Sequence, residues 1–269
     1  MPTLGRGLAV MSKEKHSERD VREGATDALI ARLDRAERSS EAERSRARTY
    51  ELLAIEPDAR VVDVGGGAGQ AVAELARRGV RVTGVDADER MVAVARERWP
   101  GADIRVADVG RLPFGDATVH GYRADKVLHE LPDPAGALAE ARRVLAPGGR
   151  VVLVGQDWEA LVVDADDAAL TSTIVRARVS LIPSPRAARG QRGLLLDAGL
   201  SEVTAEAPTT VLTGSEALPL LTGLAEAACA SGAISRDQAG TWCAEQRERA
   251  RADRRFLAVP LFLAAGTAK

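Results

Sequence analysis

Four acidic or glycine-rich points in the chain have the types and spacing to do chemistry. Asp63 lies two residues before the glycine series Gly65, Gly67 and Gly69, and Asp86 follows twenty-one positions after Gly65. Asp108 comes later, and His129 later again. Glycines clustered behind a short apolar run (Val61–Val64) read as strand, tight loop, helix. Lacking Cβ, they take positive φ and let a ligand lie against the backbone. The helix that follows turns N–H groups and positive dipole toward that ligand. The loop therefore suits something anionic or nucleotide-like. A P-loop would need Lys-Ser or Lys-Thr after the last glycine, and Ala68-Gly69-Gln70-Ala71 excludes it.

The dinucleotide fingerprint fits poorly, because its third glycine falls on Gln70. An acid at position 63 also opposes a neighbouring pyrophosphate but suits a positive charge such as an amino acid ammonium. Asp86 is spaced to accept from both ribose hydroxyls. Asp108, ending the next strand, is placed beside an adenine amine. A ligand that is amino acid, ribose and adenine in turn is S-adenosylmethionine.

The elements that must position these residues alternate. Strands are expected at Val61–Val64, Val80–Val85, Ile104–Ala107, Val119–Leu128 (interrupted by charges) and Arg150–Gly155, and helices at 71–78, 89–99 and 135–145. Such alternation implies a parallel sheet covered on both faces, an α/β fold. Further on, helices are expected over 166–182, 187–198, 215–230 and 237–252, one strand over 203–212, and a terminal strand over 256–265 in which Pro260 is awkward for a central position. Before the first strand, residues 1–20 read as a mobile polar tail and 21–56 as a helical cover, with Ser40 as N-cap of its second helix. The domain proper is expected over 57–269, with helical additions at 157–200 and 213–253 near an acceptor pocket.

Several motifs in order resemble the class I S-adenosylmethionine-dependent methyltransferases, particularly the ubiquinone/menaquinone type: VVDVGGGAG, GVDADERM, ADVGRLPF, KVLHELPDP and RRVLAPGGRVVLV. LLLDAGLSEVT and RFLAVPLFLAAG are similar to that group's sixth and seventh strands. The resemblance implies a Rossmann-like seven-stranded sheet with an antiparallel last strand. It implies Asp63, Gly65 and Gly67 around the methionine moiety, Asp86 on the ribose, and Ala87 and Met91 packed on adenine. Asp108 and Val109 would frame the adenine edge, and the Asp125-Lys126 backbone would pass near the sulfonium. Two positions depart from the group: Gly66 stands where many relatives have Cys, and His120 where Asp is usual at the start of the fourth strand.

Methyl transfer from a sulfonium needs chiefly proximity and alignment. A base is required only for a protonated nucleophile. His129 is either that base or a residue holding its loop. Trp158 is either a pocket wall or a loop anchor, with Asp157 beside it. Tyr50 or Arg46 on the cover helix is placed to reach the cofactor carboxylate. His129-Glu130 is no zinc motif, since Asp133 occupies the second histidine position, and no magnesium-binding carboxylate set is recognisable. Cys229 and Cys243 read as small buried hydrophobes.

Composition narrows the partner. The 269 residues carry a net charge of −2 with signs interleaved, 45% hydrophobic residues and only 3% aromatics. That argues against nucleic acid, and no run is long enough to span a membrane. The expectation is a cytoplasmic, bacterial enzyme methylating a small molecule at C, O or N, quinone-like or a secondary metabolite, with its oligomeric state open. The alternatives are a protein that binds the cofactor without transferring methyl and, behind it, a nicotinamide oxidoreductase.

Overall fold

The computed structural model describes residues 39–269, so the expected tail and the first cover helix lie outside the described residues. The fold below is that of the compact unit Arg48–Lys269. It begins before the expected boundary at 57 because Tyr50 and Leu53, in helix α1 (Ser40–Leu53), are buried in its core. At the start of α1 the capping oxygen is that of Ser39, which accepts from the Ala42 N–H at 3.1 Å; Ser40 is already helical.

Strands β1 (Arg60–Val64), β2 (Arg81–Asp86), β3 (Asp103–Val106), β4 (Val119–Asp125) and β5 (Leu145–Gln156) are parallel in the order β3-β2-β1-β4-β5. Helices α2 (Gln70–Arg77), α3 (Glu89–Arg98) and α4 (Pro134–Val144) make the crossovers. The strand order reverses between β1 and β4, and ligands of such sheets bind in the crevice at the carboxyl ends there. The register Val61↔Gly121 is pinned where the Arg60 N–H donates to His120 Nδ1 at 3.1 Å. The departure at His120 therefore has a structural task.

Alternation along the strands sorts side chains into two cores. Val62, Val64, Val151 and Leu153 face one way with Leu138 and Leu195, while Val61 and Val152 face the other with Leu53, Val72 and Leu75. Each such buried aliphatic contributes roughly 1.5–3 kcal/mol.

Strand β9 (Leu257–Thr267) runs antiparallel to β5. It is shared by two sheets. Its second half lies between β5 and β7 (Ser201–Glu206), and its first half lies between β6 (Val162–Val163) and β8 (Thr209–Leu212). The single strand expected over 203–212 is thus two, divided at Ala207-Pro208. Pro260 falls at the changeover, just past the last β5 pair, Gln156↔Leu261, where a missing N–H costs little. Being antiparallel, β9 brings its amino end to the edge where β1 and β4 finish. There helices α5 (Ala168–Val179), α7 (Leu218–Ala230) and α8 (Arg236–Arg251) form a third core, a cap around Ile174, Leu221, Leu224 and Trp242. Cys243 is buried in it and Cys229 packs against it; both are free thiols. Among the described residues no helix is long and apolar enough to cross a membrane.

Helix α6 (Ala187–Asp197) lies so close to β5 that a Cβ on Gly155 would come within 2.8 Å of Ala188 Cβ and 3.2 Å of its Cα. Overpacking of this kind costs about 1–3 kcal/mol. Gly155→Val is expected to lose that much stability in urea unfolding, and an unchanged midpoint would contradict the packing.

Candidate active site at the carboxyl edge

The loop after β1 is held by its own backbone and by one carboxylate. Gly66 N–H donates to Val85 O at 3.1 Å and Gly69 N–H to Gly66 O at 2.9 Å. Asp86 Oδ2 accepts from Gly67 N–H at 3.0 Å, while Oδ1 accepts from Asp88 N–H at 2.9 Å. The carboxylate thereby ties the glycine loop to the turn after β2, and each oxygen keeps lone pairs for further donors. Gly65 sits at φ 64°, and a Cβ there would lie 2.3 Å from Val127 Cγ2. Gly69, at φ 81°, is pressed by Trp99, whose indole N–H donates to Ala68 O at 3.1 Å. Helix α2 opens after Gly69 with no side-chain cap, whereas Asp88, Asp133, Asp167 and Ser235 cap α3, α4, α5 and α8.

Asp63 is fully enclosed, and its charge is answered from within. Arg123, opposite it on β4, donates Nη1 to Asp63 Oδ1 at 2.7 Å, Nη2 to Asp125 Oδ2 at 2.6 Å and Nε to Thr49 Oγ1 at 2.8 Å. Burial opposes the guanidinium charge, but Asp63 and Asp125 outweigh it and hold Arg123 protonated. Lys126 Nζ, 40% exposed, lies 3.9 Å from Asp125 Oδ1. Arg123 was not singled out from sequence, although a charge midway through the buried run 119–124 requires a partner.

Strand β4 ends at Asp125, three residues short of the expected Leu128, because Lys126 takes φ 60° while its N–H still donates to Val154 O at 2.8 Å. The chain then makes a short 3-10 turn, Leu128–Glu130. His129 there is 7% exposed; its Nε2 lies 3.1 Å from Glu130 Oε1 and its Nδ1 has no partner. A carboxylate can only accept, so Nε2 carries the proton and Nδ1 is left as the basic nitrogen. Burial lowers the imidazole pKa below its ordinary value; Glu130 pulls the other way, and Arg178 and Lys126 add to the lowering. The ring meets Trp158 edge-on with centroids 6.2 Å apart, and Arg178 covers the indole at 4.8 Å. Trp158 Nε1 and Gln156 Nε2 are likewise enclosed without partners.

The remaining expected residues divide. Met91 is buried at the start of α3, and its Cε would lie 3.9 Å from a Cβ on Gly67; Ala87 is exposed beside it. Asp108 Oδ1 accepts from Gly110 N–H at 2.7 Å in the turn after β3, and Val109 packs on the neighbouring core. Asp157, also fully enclosed, pairs with Arg189, whose Nη2 donates to its Oδ1 at 2.8 Å, and caps the turn Trp158–Ala160. Tyr50 belongs to the core face with Leu53 and Val61, away from the cluster that Trp158 joins, and its hydroxyl donates to Glu74 at 2.8 Å. Among the described residues no group of three or more ligating side chains could hold a metal ion.

The lowered His129 pKa has a consequence for stability. Unfolded histidine binds a proton near pH 6.5, while the folded site resists it to lower pH. In that window the unfolded chain holds more protons, so stability rises with pH, by up to about 1.4 kcal/mol per unit. His129→Gln should flatten this slope in urea melts between pH 5 and 7.5. A slope unchanged by the substitution would contradict the assignment.

With this geometry in place, similarity to known proteins takes on meaning. Residues 62–153 match the model of a methyltransferase domain. The chain is 31% identical over 229 residues to an uncharacterised 37.1 kDa transposon protein of Streptomyces fradiae, covering 81% of this chain and 66% of that one. It is 34% identical over 108 residues to the demethylmenaquinone methyltransferase of Beutenbergia cavernae, covering 40% of this chain and 45% of that one. The chain thus spans less than two thirds of the length of these relatives. Its fold matches the YcgJ protein of Bacillus subtilis with a TM-score of 0.59 at 17% identity, over 84% of this chain and 99% of the other. Residues 62–153 thus form a methyltransferase domain, and the order of the motifs and the fold around it are those of class I S-adenosylmethionine-dependent methyltransferases.

Proposed function

We propose that the chain transfers the methyl group of S-adenosylmethionine to a small molecule presenting a hydroxyl to His129, as a phenol or quinol does. One observation carries this reading. His129, two residues past the Val127 whose side chain lies against Gly65, meets Trp158 with ring centroids 6.2 Å apart. His129 Nδ1, Trp158 Nε1 and Gln156 Nε2, the last at the end of β5, are enclosed without protein partners. Native proteins seldom leave buried polar atoms unsatisfied, and functional sites are a usual exception.

In this reading Asp86 accepts from the ribose hydroxyls while keeping the loop closed, and Met91 packs on the adenine. The Asp63 and Asp125 carboxylates, set by Arg123, lie toward the ammonium and sulfonium end. The cofactor supplies an activated methyl group, and the chain supplies alignment. His129 takes the acceptor's proton at Nδ1, with Glu130 fixing the tautomer. A lowered pKa keeps the imidazole neutral and ready at pH 7. Trp158 and Gln156 donate to oxygens of the acceptor. The demethylmenaquinone methyltransferase relatives support a quinol-like acceptor only as a class, since likeness in cofactor motifs does not choose a substrate or the atom methylated. The enclosing cap favours a small acceptor over a flat macromolecular surface.

The test has two parts. Calorimetry should show S-adenosylhomocysteine binding that Asp86→Ala weakens by about ten-fold or more, as expected for lost charge-assisted hydrogen bonds. Product formation with a panel of quinols, phenols and amines should then fall by about 10²–10⁴ in kcat for His129→Ala on hydroxylated acceptors. Cofactor binding with no turnover on any acceptor would favour a non-transferring role. Nicotinamide binding without adenosyl binding would overturn the reading.

A further inference from the structure

One charged side chain in the cap has no use in anything described so far. Arg255 is 2% exposed, and its Nε, Nη1 and Nη2 all lack hydrogen-bond partners. A guanidinium does not lose its proton in a protein, so the charge stays and must be compensated. Every other fully or nearly enclosed charge described above is paired: Asp63 and Asp125 with Arg123, Asp157 with Arg189. Glu216 is near enough for its charge to act on Arg255, yet it is exposed and its Oε1 accepts from Gly214 N–H at 2.9 Å.

The position points inward. Phe256 O accepts from Asp164 N–H at 3.0 Å, so extended pairing continues past the end of β9. Burial alternates there: Arg254 and Phe256 are exposed, Arg255 and Leu257 buried. Arg255 therefore shares the face of Leu257 and Val259, which pack in the cap core that Trp158 joins from the methyl-transfer side. Helix α8 holds a second unsatisfied atom, joined to this stretch through Asp164. Gln246, fully buried, donates Nε2 to Asp164 O at 3.0 Å, while its Oε1 has no donor.

We propose that Arg255 is the counter-ion for an anionic oxygen group, a carboxylate or phosphate, carried by the methyl acceptor. The proposal deepens the reading given above and rests on it: an acceptor anchored by its anion in the cap would extend toward Trp158 and His129. Planar guanidinium donors match either group in paired hydrogen bonds. A residue kept for binding at the expense of folding also has a stability signature, because its apolar replacement strengthens the fold.

The full-length chain, loaded with S-adenosylhomocysteine, is melted at constant ionic strength with benzoate, 4-hydroxybenzoate, inorganic phosphate or, as the neutral control, benzamide. The wild type should gain melting temperature with a carboxylate or with phosphate and not with benzamide. Its calorimetric affinity for that anion should exceed benzamide's by about ten-fold or more. Arg255→Leu should start from a higher melting temperature and respond to none of the anions, and Arg255→Lys should restore part of the response. Should the leucine variant not fold, Arg255→Gln replaces it, with loss of the anion response alone as the readout. Response to no probe in the wild type overturns the proposal, as does an anion response in Arg255→Leu or Arg255→Gln equal to the wild type's. If S-adenosylhomocysteine binding persists in those cases, only the anion site falls. If that binding is absent from the wild type, the methyl-transfer reading falls with it.

Discussion

A guanidinium enclosed between two carboxylates stands at the reversal point of the sheet, and the rest of the carboxyl edge depends on it. Arg123 joins β1 through Asp63, the end of β4 through Asp125 and helix α1 through Thr49. Removing one partner from such a cluster costs about 3–5 kcal/mol, because it strands a charge where water cannot reach. Replacing the whole set by apolar groups would cost far less. The cluster is therefore better understood as a specifier than as a source of stability. It sets the positions of two strand ends together, and the glycine loop leaves from one of them.

Around that point the edge is built in layers with different demands. Beneath the loop, Arg123 is paired with both Asp63 and Asp125. Asp86 spends one lone pair of each oxygen on backbone N–H groups and stays half-buried, open to a ligand. Above it, His129, Trp158 and Gln156 leave polar atoms unsatisfied, and the cap leaves Arg255 and Gln246 so. Strand β9 makes the arrangement possible, since one antiparallel strand carries the sheet out into the cap, with Pro260 at the crossing.

Much of this was legible in the residues. The βα alternation, the glycine loop, Asp86 at its spacing and an antiparallel last strand follow from periodicity and from the family likeness, and the fold agrees. What escaped did so for physical reasons. Strand boundaries turned on single backbone torsions, as at Lys126, where a positive φ ended β4 early. The division at Pro208 depended on which half of β9 each piece would pair with, a tertiary fact. Pairings between distant residues, Arg123 with Asp63 or Arg189 with Asp157, leave no mark in local spacing. An arginine inside an apolar run did signal that some acid must meet it, and Asp63 is the acid.

The claim that this internal ion pair holds the cofactor loop is tested most directly by a double-mutant cycle. S-adenosylhomocysteine affinity and unfolding free energy are measured for wild type, Asp63→Asn, Arg123→Met and the double variant. The account predicts that the double variant is more stable, and binds better, than the sum of the single losses, with a coupling of roughly 1–3 kcal/mol. Additive losses in both quantities would contradict it.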